Sequence, residues 1–284
     1  GELYLYDLAK SGRDAVRKLT GGGGFATDPK LSPGGGFVSF VRERELWVID
    51  LASGRQVRLT HDAGDTVANG IAEFVADEEM DRHTGYWWSP DGSNVAYYRF
   101  DESKVPDYFL QLDQTKIQSR LDVEAYPKAG VDNPIVELFV YDVATKKSTR
   151  VDVRNGKPFT NDVVGHYVYR IAWSPDGSEL LFNRTNRRQN VLEFTAANPA
   201  TGETRVIIRE EWPTGWIRNS PGITWLADGK RFIWESERNG WNNFYLYDIA
   251  GTLITPLTSH TGFEASGLVK VDEQAGTVFY TARD

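Results

Sequence analysis

The chain has 284 residues, 40% hydrophobic and 25% charged, with a net charge of −8. That composition fits one large globular domain or two smaller ones, and its scattered basic residues exclude the positive stripe that nucleic acid demands. There is no cysteine, which excludes disulfide staples and thiol chemistry, and no apolar run approaches the ~18 residues of a membrane-spanning helix.

The first predicted strand is Leu3-Tyr4-Leu5-Tyr6-Asp7. It begins abruptly with no signal peptide ahead of it, which reads as a cut N-terminus. A turn at Ser11-Gly12 and a polar strand closing on Leu19-Thr20 follow. The next unit opens with Leu31-Ser32-Pro33-Gly34-Gly35 as a tight turn, then gives the strand Leu46-Trp47-Val48-Ile49-Asp50, a turn at Ser53-Gly54 and a second Leu59-Thr60. The spacing from Asp7 to Asp50 is 43 positions, within the ~40–50 residues of a four-stranded propeller blade.

Residues 70–86 leave this pattern. Ile71, Phe74 and Val75 stand at helical spacing, Ala, Glu and Met favour helix, and Gly85 is placed to end it. The expectation is a short inserted helix carrying Asp77, Glu78, Glu79 and Asp81. By charge alone it is a solvated acidic helix end.

The repeat resumes at Trp88-Ser89-Pro90-Asp91-Gly92, with the strand Val95-Ala96-Tyr97-Tyr98 behind it. In this turn Pro presets φ at the first position and Gly takes the positive φ that other residues resist. The apolar residue ahead of the turn is expected to point into the core. A second insertion, 101–136, is too long for a turn and reads as an extended arm between strands. Its Tyr108, Phe109 and Leu110 suit either a partner interface or a strand pair folded on its own propeller.

Leu138-Phe139-Val140-Tyr141-Asp142 then repeats the strand ending in Asp. Trp173-Ser174-Pro175-Asp176-Gly177 repeats the turn, and Val191-Leu192-Glu193-Phe194 is a weaker strand copy. Leu226-Ala227-Asp228-Gly229, Phe244-Tyr245-Leu246-Tyr247-Asp248 and Leu257-Thr258 form another unit. Gly267-Leu268-Val269-Lys270 and Thr277-Val278-Phe279-Tyr280 begin a last one. The predicted fold class is all-β: a propeller of four-stranded antiparallel blades, one domain over 1–284, about six units with the first and last incomplete.

No Gly-x-Ser-x-Gly occurs, so the serine elbow of α/β-type hydrolases is not in this sequence. His61, His83, His166 and His260 lie in no metal motif and read as surface or loop residues. No cofactor is expected.

The Trp-Ser-Pro-Asp-Gly repeat resembles the propellers of prolyl-oligopeptidase-type serine peptidases. Several stretches are similar to the dipeptidyl peptidase IV family in particular. They are Glu78-Glu79 shortly before Trp87-Trp88-Ser89-Pro90, Val105-Pro106, Tyr126-Pro127-Lys128-Ala129-Gly130 with Asn133-Pro134, and Ser236-Glu237-Arg238-Asn239-Gly240-Trp241. The resemblance implies a bacterial protein and about six of eight blades. It also implies a C-terminal hydrolase domain of the same parent carrying Ser, Asp and His, so that this stretch recognises and gates without cutting.

By the same resemblance Glu78 and Glu79 bind the free α-ammonium of a peptide whose X-Pro or X-Ala dipeptide is released. The pair becomes a ruler as well as a clamp. Two adjacent carboxylates repel, and an arriving cation relieves that repulsion. Gly215-Trp216-Ile217-Arg218 resembles a segment lining the S2 pocket, with departed spacing, which makes Arg218 a further substrate-binding candidate. The 101–136 arm is implied in a homodimer, and the location is implied to be periplasmic or secreted. The competing readings are a non-enzymatic propeller that binds proteins, and the propeller of a tripeptidyl or acylaminoacyl peptidase.

Overall fold

The computed structural model describes residues 1–72, 78 and 83–283. The chain divides into two compact units. The first is Gly1–Val151 with Ala200–Gly202, and the second is Asp152–Pro199 with Glu203–Asp284.

In the first unit, β1 (Tyr4–Tyr6) and β2 (Val16–Lys18) form a two-stranded sheet. The strands β3 (Thr27–Leu31), β4 (Phe37–Arg42), β5 (Glu45–Asp50) and β6 (Gln56–Arg58) then make a four-stranded meander in sequence order. The next sheet is built from β7 (Val67–Asn69), β8 (Tyr86–Trp88), β9 (Asn94–Asp101), β12 (Ile135–Asp142) and β13 (Lys147–Arg150). Between β9 and β12 the hairpin β10 (Asp107–Leu112) and β11 (Arg120–Ala125) forms its own two-stranded ladder.

In the second unit, β14 (Tyr167–Trp173), β15 (Leu180–Thr185), β16 (Val191–Ala197) and β17 (Thr204–Glu211) make one four-stranded sheet. Another contains β18 (Ile223–Trp225), β19 (Arg231–Ser236), β20 (Asn243–Asp248) and β21 (Leu253–Pro256). The pair β22 (Glu264–Asp272) and β23 (Thr277–Arg283) comes last. Each sheet is an antiparallel meander, and no sheet closes on itself among the described residues. These are the blades of an incomplete β-propeller.

The repeat letters have physical causes. In the turn before β9, Gly92 takes φ +72° and donates its N–H to the Ser89 carbonyl at 2.8 Å. The Ser89 hydroxyl accepts the Asn94 N–H at 2.9 Å and donates to Asp91 at 2.6 Å, and Asp91 accepts the Ser93 N–H at 3.0 Å. Ser174, Asp176 and Gly177 repeat the arrangement before β15. The aspartates that end strands do a related task. Asp50 accepts the N–H groups of Ala52 and Ser53, Asp142 that of Thr145, and Asp248 that of Thr252. A carboxylate there replaces ladder partners that the turning backbone lacks.

The turn sets the core. Residues Val95 to Tyr98, Leu180 to Phe182 and Phe232 to Trp234 in the second strands are all buried. The apolar residue ahead of the turn does not always follow. Leu226 is buried, but Leu31 is 58% exposed, because β3 is an edge strand. Trp88 is half-buried, stacked at 6.4 Å on Phe37.

These turns make the fold sensitive to acid. Hydrogen bonds from Ser174, then from Ser178, hold the Asp176 carboxyl down at about 2. The Lys230 N–H, then the Arg231 side chain, hold Asp228 at about 2. A carboxyl depressed in the folded state contributes stability above its unfolded pKa, and loses it as pH falls through the folded value. The thermal midpoint should therefore be level at neutral pH and fall between pH 4 and 2, in the range from the ordinary 3.8 down to about 2. A flat midpoint across that interval would contradict this account of the turns.

The Leu-Thr endings also have a cause. Thr60 is buried, accepts the Leu46 N–H at 3.0 Å and donates to the buried Glu45 carboxylate. Thr20 accepts the Leu3 N–H at 2.8 Å and donates to Glu2 at 2.5 Å. Thr258 accepts the Phe244 N–H at 2.9 Å and donates to Asn243 at 2.8 Å. In these three units one hydroxyl thus ties the end of the last strand to the start of the strand before it. Thr60→Val keeps the shape and removes both bonds, leaving a buried N–H and carboxylate short of partners. Chemical unfolding should show a loss of about 1–3 kcal/mol; no measurable loss would remove this role.

The arm has its own packing. Tyr108 meets Tyr126 at 5.6 Å, and Lys128 lies 4.8 Å over the Tyr108 ring. Phe109 and Leu121 are each 60% exposed.

Candidate functional site

The segment that bears the acid pair leaves the sheet through an interrupted edge strand. Both β7 and β8 pair with the same side of β9: β7 with Arg99 to Asp101, β8 with Val95 to Tyr97. They are two halves of one edge strand, interrupted between Asn69 and Tyr86. At the break Gly70 donates its N–H to the Tyr98 carbonyl, and the Tyr98 N–H returns to the Gly85 carbonyl, both at 2.8 Å. The ladder thus runs across the gap.

The neck is narrow. A Cβ on Gly85 would sit 2.4 Å from the backbone of Ile71. Gly85, expected as a helix stop, is therefore glycine for close approach of two chains, and Tyr86 already belongs to β8. The expected helix over 70–86 falls largely on residues 73–77 and 79–82, which lie outside the described residues, as does Glu79. Glu78 has helical backbone and is exposed.

Trp87 and Trp88 behind the neck are fixed by the blade. Trp87 meets Tyr98 edge-on at 5.0 Å, and the Trp88 indole donates to Ser39 at 2.8 Å.

Arg218 lies in the second unit. It forms an ion pair with Glu235 at 3.0 Å and lines a cleft of about 430 Å³. Trp212, Trp216, Glu210 and Arg238 line the same cleft. Arg238 pairs with Glu210 at 2.8 Å and stacks 4.2 Å from the Tyr245 ring centre. The Trp234 indole also donates to Glu210, at 3.0 Å. A cleft with aromatic walls and fixed charges of both signs suits a polar ligand with an apolar portion. Sequence reasoning missed Glu235 and Glu210. The available signal was a carboxylate inside or beside an apolar run, as in Phe232-Ile233-Trp234-Glu235.

His166 lies in a loop, as expected, and is buried there, stacked 4.5 Å from Phe159, with Nδ1 2.9 Å from the Thr160 carbonyl. No group of three or more His, Cys, Asp or Glu placed to hold a metal occurs among the described residues. No helix among them is long and apolar enough to cross a membrane.

Blades of this kind, one of them with an interrupted edge strand, define an incomplete propeller. The chain belongs to the dipeptidyl peptidase IV (DPP IV) N-terminal region family, whose profile matches residues 1–284. It is 30% identical over 267 residues to a probable dipeptidyl peptidase 4 of Aspergillus flavus, covering 88% of this chain and 33% of that one. The crystal structure of Porphyromonas gingivalis dipeptidyl peptidase 4 superposes with a TM-score of 0.83 at 29% identity, over 98% of this chain and 38% of the other. A putative dipeptidyl aminopeptidase IV from Bacteroides ovatus gives 0.72 at 26% identity, over 90% and 37%. The chain spans about a third of the length of the curated relatives it matches.

Proposed function

We propose that this chain is the substrate-recognition and gating propeller of a dipeptidyl peptidase IV-like serine exopeptidase. The parent releases N-terminal X-Pro or X-Ala dipeptides, and Glu78 and Glu79 hold the free amino terminus of the peptide. The observation that supports the reading is the interruption of a blade edge between Asn69 and Tyr86, the stretch of sequence that holds the pair shortly before Trp87-Trp88. Family membership along all 284 residues supports it.

The chemistry is consistent. An ammonium offers three donors and a full charge, and two carboxylates take them by charge-assisted bonds. Holding the terminus fixes the distance to the scissile bond. A clamp two residues upstream of that bond gives dipeptides, and a longer terminus does not thread past. Acyl transfer belongs to the Ser, Asp and His of the hydrolase domain. Arg218, in the cleft of the second unit, is the further contact proposed for the substrate. The proposed setting is periplasmic or secreted, with the exposed β10–β11 arm contributing to a homodimer.

The product ladder tests the assignment. The complete protein, incubated with an unblocked peptide bearing proline at positions two and four, should shorten it two residues at a time by mass spectrometry. Removal of three residues at a time would reassign it to a tripeptidyl enzyme. No shortening at all would favour a propeller that binds proteins without cutting them.

A further inference from the structure

On the neighbouring blade, β3 carries a bulge between Thr27 and Lys30. Inside it Asp28 takes φ +47° immediately before Pro29. Proline disfavours the helical regions in the residue ahead of it, and a non-glycine at positive φ is costly. Such a strained residue is kept where surrounding contacts hold it. Here the contacts run to Lys30 and to Thr84 and Tyr86, where the chain rejoins the blade.

The Asp28 carboxylate accepts the Thr84 hydroxyl at 2.5 Å. Lys30 pairs with Asp28 at 3.3 Å, donates to the Thr84 hydroxyl, and donates to the Tyr86 carbonyl at 2.5 Å. Its ammonium also lies 3.8 Å from the centre of the Tyr86 ring. The Tyr86 hydroxyl, fully buried, donates to the Asp28 carbonyl and accepts from Ser39 at 3.2 Å.

Burial lowers the Lys30 pKa, and Asp28 opposes that shift. A lysine side chain only 27% exposed is a costly way to fasten two sheets, since apolar packing would do so without desolvating a charge. Its direction is what an apolar contact cannot supply. Three polar bonds and a ring face fix Thr84 and Tyr86 in one orientation, on one side of the narrow neck at Gly70 and Gly85.

We propose that Lys30, with Asp28 and Thr84, is a positioning device for the amino-terminus clamp. It sets the direction in which the Glu78-bearing segment leaves the blade, and so where its carboxylates stand. This inference rests on the reading of Glu78 and Glu79 given above.

The test uses the complete protein, with Lys30→Met, Thr84→Val, Thr84→Ser, Glu78→Ala and Glu79→Ala, assayed on Gly-Pro-anilide. Lys30→Met and Thr84→Val should each raise KM about tenfold with kcat little changed, since small misplacement of a contact group has effects of that order or larger. Thr84→Ser keeps the hydroxyl and should stay within about twofold. If Lys30 acts through the clamp, then Lys30→Met should add less than about twofold in a background with both Glu78→Ala and Glu79→Ala. A purely structural lysine would give multiplying effects in that cycle.

The inference is overturned if Lys30→Met and Thr84→Val leave KM unchanged while Glu78→Ala raises it, or if the Lys30→Met loss multiplies with that of the doubly substituted clamp. Should Glu78→Ala itself have no effect, the clamp reading fails, and the mooring is then read without substrate. Trypsin cleavage after Arg82 should be several-fold faster in Lys30→Met and Thr84→Val than in the parent, because a released segment opens more often. Equal cleavage rates would show that Lys30 does not moor it.

Discussion

Replacing Glu78 or Glu79 by Ala in the complete protein should lower kcat/KM for Gly-Pro-anilide by about ten- to hundredfold, each alone. At ~4 Å and an effective dielectric near 20, one carboxylate attracts an ammonium by roughly 4 kcal/mol before desolvation. Hydrogen bonds to charged groups retain about 1.5–3 kcal/mol net, and 1.36 kcal/mol is tenfold in rate. The loss should fall mainly on KM if the clamp holds substrate and transition state alike, and on kcat if it aligns the scissile bond. Gln at either position keeps an acceptor without the charge and should lie between Ala and the parent. A loss below about threefold in both Ala variants would remove the pair from substrate recognition.

Arg184→Met should be the most destabilising of the substitutions considered in the second unit. Arg184 on β15 and Glu193 on β16 stand opposite each other, at 2.7 Å, and their side chains are only 1% and 7% exposed. Arg184 also donates to the Val153 carbonyl at 3.1 Å and to Asn155 at 3.2 Å. Removing it takes the buried partner from the Glu193 carboxylate and the side-chain donor from the Val153 carbonyl. Breaking one side of a buried pair typically costs about 3–5 kcal/mol. Arg209, 2.5 Å from Glu193 but half in water, remains and should hold the cost near the lower end, about 3 kcal/mol. Replacing both Arg184 and Glu193 by Met should recover much of the loss, because the uncompensated charge is then gone. Urea unfolding of the single and double variants checks this. A cost under about 0.5 kcal/mol for the single change would mean that the pair contributes nothing.

The blades were legible because their signals are local. Ser89-Pro90-Asp91-Gly92 contains every atom its turn needs, and so does Ser174 to Gly177. The Asp endings and the Leu-Thr closures recur with the strands they serve. Other features depend on partners far along the chain. Val67 to Asn69 is too short to read as a strand until β9 is seen beside it, and only then do β7 and β8 become two halves of one edge. Gly85 looked like a helix stop because its close neighbour, Ile71, is brought there by the neck.

Arg184 and Glu193 each look misplaced in an apolar strand, and the antiparallel register is what pairs them. Leu31 fits the repeat but sits on an edge strand, so its exposure follows from sheet order and not from its type. His166 reads as a surface or loop residue, and its burial against Phe159 and the Thr160 carbonyl depends on the fold. The acid pair was visible as a pair, and its resemblance suggested a task. The fold adds the interrupted edge strand on either side of its segment and the Lys30 cluster at Thr84 and Tyr86.

Recognition of a free amino terminus is the claim on which the proposed function stands. The most direct measurement compares Gly-Pro-anilide with its N-acetylated form on the complete protein. Acetylation removes the ammonium and leaves the scissile bond untouched. The account predicts that kcat/KM falls by at least about a hundredfold on acetylation, and that the difference shrinks sharply in Glu78→Ala and Glu79→Ala. Equal rates on the free and acetylated substrates would contradict it.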